Sequence, residues 1–197
     1  MRAVGLILAG GQSSRMAGGQ KPLMNLAGRP LIAHALARLE GAVAAIAINA
    51  NNGPRYASFG VPVIEDGLAG FQGPLAGVAA GLGWAGRSRA DLLVTLPADT
   101  PFLPADIAPR LLLRAETARG GIAVARSAGL PHPVCAAWPV TLRDDLESHL
   151  HAGGSRKVMS YVGARPHHFV DFDDPDAFFN VNTPADLATA EARSNAP

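Results

Sequence analysis

Arg15, Lys21 and Asp99 are the residues whose types and positions speak most directly of chemistry. The first two lie in GLILAGGQSSRMAGGQKPL, residues 5–23, where a short apolar run stops abruptly at a glycine-rich loop. Successive backbone N–H groups in such a loop make an anion-binding concavity, and glycine lets the backbone come close to the ligand. Arg15 can grip phosphate oxygens in two-pronged fashion, while Lys21 supplies a mobile point charge. Asp99 follows the apolar run LLVTLP and precedes Thr100-Pro101, so its carboxylate is expected at the carboxyl edge of a sheet, beside the loop. A carboxylate there suits a divalent cation that also carries phosphates.

Several phosphate-binding designs share this look, and spacing separates them. A Walker A loop needs G-x-x-x-x-G-K-[ST]; Gln20 separates Gly19 from Lys21, and Pro22 occupies the hydroxyl position. A dinucleotide fingerprint needs G-x-G-x-x-G directly after the strand, whereas Gly10 and Gly11 are adjacent. What remains is a strand, then Leu8-Ala9-Gly10-Gly11, then Arg15-Met16, then Lys21.

The elements that must position these groups alternate between strand and helix. Residues 3–8 (AVGLIL) read as a strand buried on both faces, followed after the loop by a helix over RPLIAHALARLEG that opens at Pro30 and ends before Gly41. VAAIAINAN and VPVIED read as strands, GPLAGVAAGLGWA as a helix opened by Pro74, and DLLVTLPAD as a further strand. A helix over LPADIAPRLLLRAETARGG and a strand over IAVAR come next. This alternation predicts an α/β protein with a mostly parallel sheet and right-handed crossovers. The last third is less regular. It holds strands over HPVCAAW, HHFVDF and FFNVN, helices over VTLRDDLESHLH and SRKVMSYVG, and a final helix capped by Thr183 and Asp186.

The bulk numbers narrow the function classes. A length of 197 residues, 48% of them hydrophobic, suits one domain with a substantial core. A net charge of +1 gives no reason to expect nucleic acid as a partner. No apolar run approaches the roughly 20 residues needed to span a bilayer, and no signal peptide is apparent, so a cytoplasmic setting without a membrane partner is expected. Cys135 is the single cysteine and reads as a small buried hydrophobe. His167 and His168 are adjacent and point in different directions, which argues against a zinc site. DFDDPD lacks the glycine and terminal glutamate of a calcium loop and reads as a solvated turn.

LAGGQSSRM, with a lysine six residues after its arginine, resembles the nucleotidyltransferases that build on a nucleoside triphosphate. With GRPLIAHAL, INAN, VIED, GPLAG, LPADTPFLP, HPVCAAW and FFNVNTPADL in order, nearly the whole chain resembles the molybdenum cofactor guanylyltransferases. Relatives of this kind commonly carry glycine and an acidic residue where this chain has Ala17 and Gln20. The resemblance implies a Rossmann-like nucleotidyltransferase fold, a three-layer sandwich with helices on both faces of the sheet. Residues 1–197 would form a single domain, with GTP held by the part up to about residue 105 and the acceptor by about 120–190.

The implied reaction moves GMP from GTP to the terminal phosphate of a molybdopterin-type cofactor, with Mg²⁺ as the metal. Arg15, Lys21 and Asp99 would be catalytic, Asp99 also holding the metal. Leu8, Ala9, Gly10, Gly11, Lys21, Asn49, Asp66 and Asp99 would contact GTP, with Gly73, Pro74 and Gly77 either walling the nucleotide or permitting close helix packing. Arg156, Lys157, Asn180 and Asn182 would meet the acceptor, and His132 is either a substrate contact or a structural histidine. A monomer is expected, in transient contact with cofactor-biosynthesis or acceptor proteins. The alternatives are a cytidylyltransferase acting on the same cofactor, a sugar-phosphate nucleotidyltransferase, and a non-catalytic nucleotide- or cofactor-binding protein.

Overall fold

The computed structural model describes residues 1–10, 21–67, 73–118 and 120–195. In chain order the elements are β1 (Ala3–Leu8), β2 (Asn25–Leu26), β3 (Arg29–Pro30), α1 (Leu31–Ala37), β4 (Ile46–Asn49), β5 (Val63–Ile64), α2 (Pro74–Arg87) and β6 (Leu92–Pro97). They continue with α3 (Ile107–Thr117), β7 (Ile122–Ser127), β8 (Leu130–Pro139), α4 (Arg143–His151), α5 (Val158–Gly163), β9 (His167–Phe172) and α6 (Pro184–Ser194).

The main sheet has seven strands in the order β5-β4-β1-β6-β8-β7-β9. All neighbours run parallel except β8, which is antiparallel to both β6 and β7. Strand β1 lies between β4 and β6, so the chain order reverses there, and the crevice outside its carboxyl end is where open α/β sheets bind ligands. The chain leaves β1 at that crevice through Ala9 and Gly10.

The alternation of strand side chains explains the three layers. Ile7 of β1 and Leu92, Val94 and Leu96 of β6 face one way, onto Ile32 and Leu36 of α1 and Ile107 and Leu111 of α3. Val4, Leu6 and Leu8 of β1 and Leu93 of β6 face the other way, onto α2, α4 and α5. On that side Trp138 is buried, and its indole N–H donates to Thr95 Oγ1 at 2.9 Å, while that hydroxyl donates to Val134 C=O at 2.8 Å. A polar pair is thus satisfied inside an otherwise apolar layer.

Three local expectations change. α1 is one turn shorter than its apolar spacing suggests, ending at Ala37, with Pro30 as its cap rather than its first residue. The helix expected over residues 140–151 begins as a 3-10 turn before α4. FFNVN is not a strand: Pro175–Phe178 form a 3-10 turn, and the chain from Phe179 runs on irregularly to α6. Phe178 and Val181 are buried and Phe179 half-buried without a ladder, and Val181 N–H donates to Asp99 C=O at 2.9 Å.

Candidate active site

The ends of β1, β4 and β6 bring the first group of residues together. Ala9 N–H donates to Asn49 C=O at 3.0 Å, and Ala98 N–H to Leu8 C=O at 3.1 Å, so the three strands leave the sheet as one edge. Leu8, Ala9 and Gly10 stand at this edge, and Asp99 follows just beyond β6. Arg15 and Gly11 lie outside the described residues, as does Gln20.

Lys21 and Asp99 meet, and Lys21 also reaches a third group. Lys21 Nζ forms an ion pair with the Asp99 carboxylate and donates to Asn182 Oδ1 at 2.8 Å. The three residues come from the start, middle and end of the sequence, and the packing that joins them is specific. The β2–β3 hairpin turns through Ala27 and Gly28, both at positive φ, 50° and 76°. Such a turn matches the twist of paired strands. The hairpin and α6 then share a small core of their own, built from Leu26, Leu31, Val181 and Ala190 with Phe102 and Phe179 against it. This core places the 3-10 turn Lys21–Leu23 beside residues 180–182.

The cap of α6 fixes Asn182 from the other side. Asp186 accepts from the backbone N–H of Asn182 at 2.9 Å and of Thr183 at 2.8 Å, and Thr183 Oγ1 accepts from Asp186 N–H at 3.1 Å. Those bonds, that from Asn182 first, hold the Asp186 carboxyl below the usual carboxylate range, with a contribution from the Lys21 charge.

A second cluster stands where β4 and β5 end. Asn49 is buried, and its amide donates to Ile64 C=O at 3.1 Å and to Asp66 Oδ1 at 2.9 Å. The other Asp66 oxygen accepts from Asn51 at 3.1 Å, and Asn51 Oδ1 accepts from Asp66 N–H at 3.0 Å. Asn49 and Asp66, each expected to contact GTP, are thus hydrogen-bonded to one another, and Asn51, the second asparagine of INAN, joins them. Gly77, in the first turns of α2, is the reason Asn49 fits. A Cβ there would lie 2.3 Å from Asn49 Oδ1 and 2.7 Å from Leu8 Cδ2. Gly77 therefore serves close packing of helix on strand, and Gly73 has a φ of 120°, open to glycine and strained for other residues.

The expected acceptor residues do not gather in one place. Asn182 belongs to the Lys21–Asp99 group. Asn180 lines a cavity of about 180 Å³ with His132 and Thr100. Arg156 and Lys157 are exposed at the start of α5, with no side-chain hydrogen bond or ion pair to Lys21, Asp99 or Asn182. Cys135 is buried as read, and burial pushes its thiol far above the usual range.

Mg²⁺ fits the chemistry of this donor set. Asp99 and Asn182 turn two oxygens onto one positive charge, here the Lys21 ammonium. Mg²⁺ is commonly held by one or two carboxylates together with phosphates and water. No cluster of three or more His, Cys, Asp or Glu suited to a metal occurs among the described residues, so substrate oxygens and water would complete the shell.

A mostly parallel sheet with a lysine–carboxylate pair beside its switch point fits the nucleotidyltransferase class. Residues 5–168 match the family model described as "MobA-like NTP transferase domain". A "Molybdenum cofactor guanylyltransferase" of Cereibacter sphaeroides is 48% identical over 193 residues, 98% of this chain and 97% of that protein. A protein of the same name from Rhodopseudomonas palustris is 48% identical over 191 residues, covering 94% of this chain and 91% of its own length. The crystal structure of molybdopterin-guanine dinucleotide biosynthesis protein A from Archaeoglobus fulgidus has the same fold, with a TM-score of 0.77, 24% identity and 98% of each chain covered. The chain belongs to the molybdenum cofactor guanylyltransferases, within the MobA-like NTP transferases.

Proposed function

We propose that this chain transfers GMP from GTP to the terminal phosphate of a molybdopterin-type cofactor. An ionised phosphate oxygen of the acceptor attacks the α-phosphorus of GTP, the bond to the β-phosphate bridging oxygen breaks, and pyrophosphate leaves. The nucleophile is already an anion at neutral pH, so no general base is required. The obstacle is anion meeting anion, and catalysis must come from alignment and charge neutralisation.

The observation that carries this reading is Lys21, held by Asp99 and Asn182 at the crevice beyond β1. Its ammonium would meet phosphate charge, and Arg15 would supply a second cation. When bound, Mg²⁺ at Asp99 would neutralise phosphate oxygens. Asn49 and Asp66 would meet the guanosine moiety, since a carboxylate can accept from guanine N1 and N2, a donor pair that cytosine lacks. Residues up to about 105 thus hold GTP, while about 120–190 hold the acceptor. The enzyme would act in the cytoplasm as a monomer; among the described residues no helix is long and apolar enough to cross a membrane.

The test is pyrophosphate release with molybdopterin-type cofactor, Mg²⁺, and GTP or CTP in turn. GTP-selective, cofactor-dependent release is expected, and CTP selectivity would instead identify a cytidylyltransferase. Asp99→Asn is expected to lose nearly all transfer while folding normally, and near-normal turnover in that variant would refute its role.

A further inference from the structure

The hairpin between β7 and β8 carries a group that the transfer chemistry leaves unused. Because β8 runs antiparallel to β6, its first residues return to the same sheet edge as Asp99. There the His132 ring stacks on Phe178, with centroids 4.0 Å apart and planes 10° apart. His132 Nε2 lies 2.7 Å from the hydroxyl of buried Ser127. The ring is therefore held in its plane by Phe178 and against rotation by Ser127.

His132 opens into the cavity it shares with Pro97, Thr100, Cys135, Phe178 and Asn180. Among the described residues no lysine, arginine, aspartate or glutamate lines it, so those residues offer phosphate no counter-charge there. At about 180 Å³ it is smaller than the roughly 300–1,000 Å³ of sites for whole drug-sized ligands, and suits one ring system. Burial lowers the His132 pKa, so the imidazole is neutral at neutral pH. With Nε2 engaged by Ser127, Nδ1 has no hydrogen-bond partner among the described residues. A neutral imidazole with one fixed edge is a hydrogen-bonding group of defined direction.

We infer that this cavity takes the fused-ring end of the acceptor, and that His132 selects it by a hydrogen bond from Nδ1 to the ring's polar edge. Ser127 is the positioning residue that sets which form of His132 faces the ring. The assignment rests on the reading that the acceptor is a molybdopterin-type cofactor, whose phosphate then points toward Lys21 and Asp99, just beyond Thr100.

Two measurements test it on the full chain. In steady-state pyrophosphate release at saturating GTP, His132→Phe keeps the flat ring but removes the hydrogen bond. The acceptor KM is expected to rise about tenfold, the scale of one hydrogen bond, with kcat and the GTP KM nearly unchanged. Ser127→Ala, which keeps the imidazole, is expected to raise the acceptor KM by a smaller factor. In parallel, quenching of a phosphate-free 6-substituted pterin's fluorescence reports the cavity without turnover, and saturable quenching weakened by His132→Phe is expected. An unchanged acceptor KM in His132→Phe, or an equal rise in the GTP KM, overturns the assignment. If the wild-type protein does not transfer GMP, the pterin titration decides alone. Quenching that depends on His132 then upholds the cavity while the guanylyl-transfer reading fails; no saturable quenching, or quenching unchanged in the variant, overturns the cavity as well.

Discussion

Gly77→Ala is the perturbation whose sign is set by the site rather than by the helix that carries it. Within a helix, alanine is favoured over glycine by about 0.5–1 kcal/mol, so propensity alone predicts a more stable protein. The new methyl, however, would sit 2.3 Å from Asn49 Oδ1 and 2.7 Å from Leu8 Cδ2, where ordinary contact begins near 3.4 Å. The Asn49 amide must withdraw by about 1 Å, and it is tied to Ile64 C=O and Asp66 by two hydrogen bonds. Overpacking of this kind costs about 1–3 kcal/mol, and each weakened hydrogen bond adds up to about 1 kcal/mol. After the helix gain is subtracted, the middle of these ranges is a destabilisation by Gly77→Ala of about 2 kcal/mol. For a chain of this size that lowers the thermal midpoint by about 2–4 °C per kcal/mol. Gly83→Ala on the same helix is the control, since its nearest neighbours are Arg87 Nη1 at 3.6 Å and Arg143 Nε at 3.9 Å. It should instead stabilise by about 0.5–1 kcal/mol. Thermal unfolding of both variants, with a GTP titration of each, makes the comparison. A Gly77→Ala protein as stable as the wild type, with undiminished GTP affinity, would refute the argument that this glycine exists to seat Asn49.

Thr183→Ala removes the α6 cap and is expected to cost about 1 kcal/mol in denaturant unfolding. It should also reduce kcat/KM, because Asn182 is held by the same cap. Folding stabilises the charged form of Asp186, so its contribution is full above the ordinary aspartate range near pH 3.9 and is lost as pH falls through its lower folded value. Thermal scans from pH 7 into acid should show a flatter profile in Asp186→Asn, and an unaltered profile would discount the cap as a source of acid sensitivity. Cys135 should resist iodoacetamide at pH 8 in the native protein and react once unfolded by guanidinium, because burial keeps its thiol protonated.

The sheet was legible because its strands are buried on both faces and read as unbroken apolar runs, as in residues 3–8 and 92–97. The placement of Asn49, Asp66 and Asp99 at the carboxyl ends of strands was legible because each closes or follows an apolar run. Partners drawn from elsewhere were not. The contact of Lys21 with Asn182 spans 161 positions and depends on the β2–β3 hairpin, whose two-residue strands carry almost no periodicity. Ala27-Gly28 and Ala128-Gly129 both turn their hairpins at positive φ, and alanine is a poor advertisement for such a turn. FFNVN misled because β propensity records burial and side-chain shape, and here both are satisfied by residues packed beneath a turn. Ser127 and Phe178 had no signal of their own, since their relation to His132 comes from a return strand and a 3-10 turn.

The dependence of Lys21 and Asp99 on α6 has a consequence for the chain's birth. Synthesis proceeds from the amino to the carboxyl end, so the strand ends that carry Asn49, Asp66 and Asp99 can assemble while residues 180–194 are still inside the ribosome. Until those residues emerge, Asn182 is absent, Asp99 C=O lacks its bond from Val181, and the small core that seats Lys21 lacks Val181 and Ala190. A nascent or truncated chain in which residues 180–194 are absent should therefore show no guanylyl transfer, and transfer should appear only once those residues have packed beside Lys21 and Asp99.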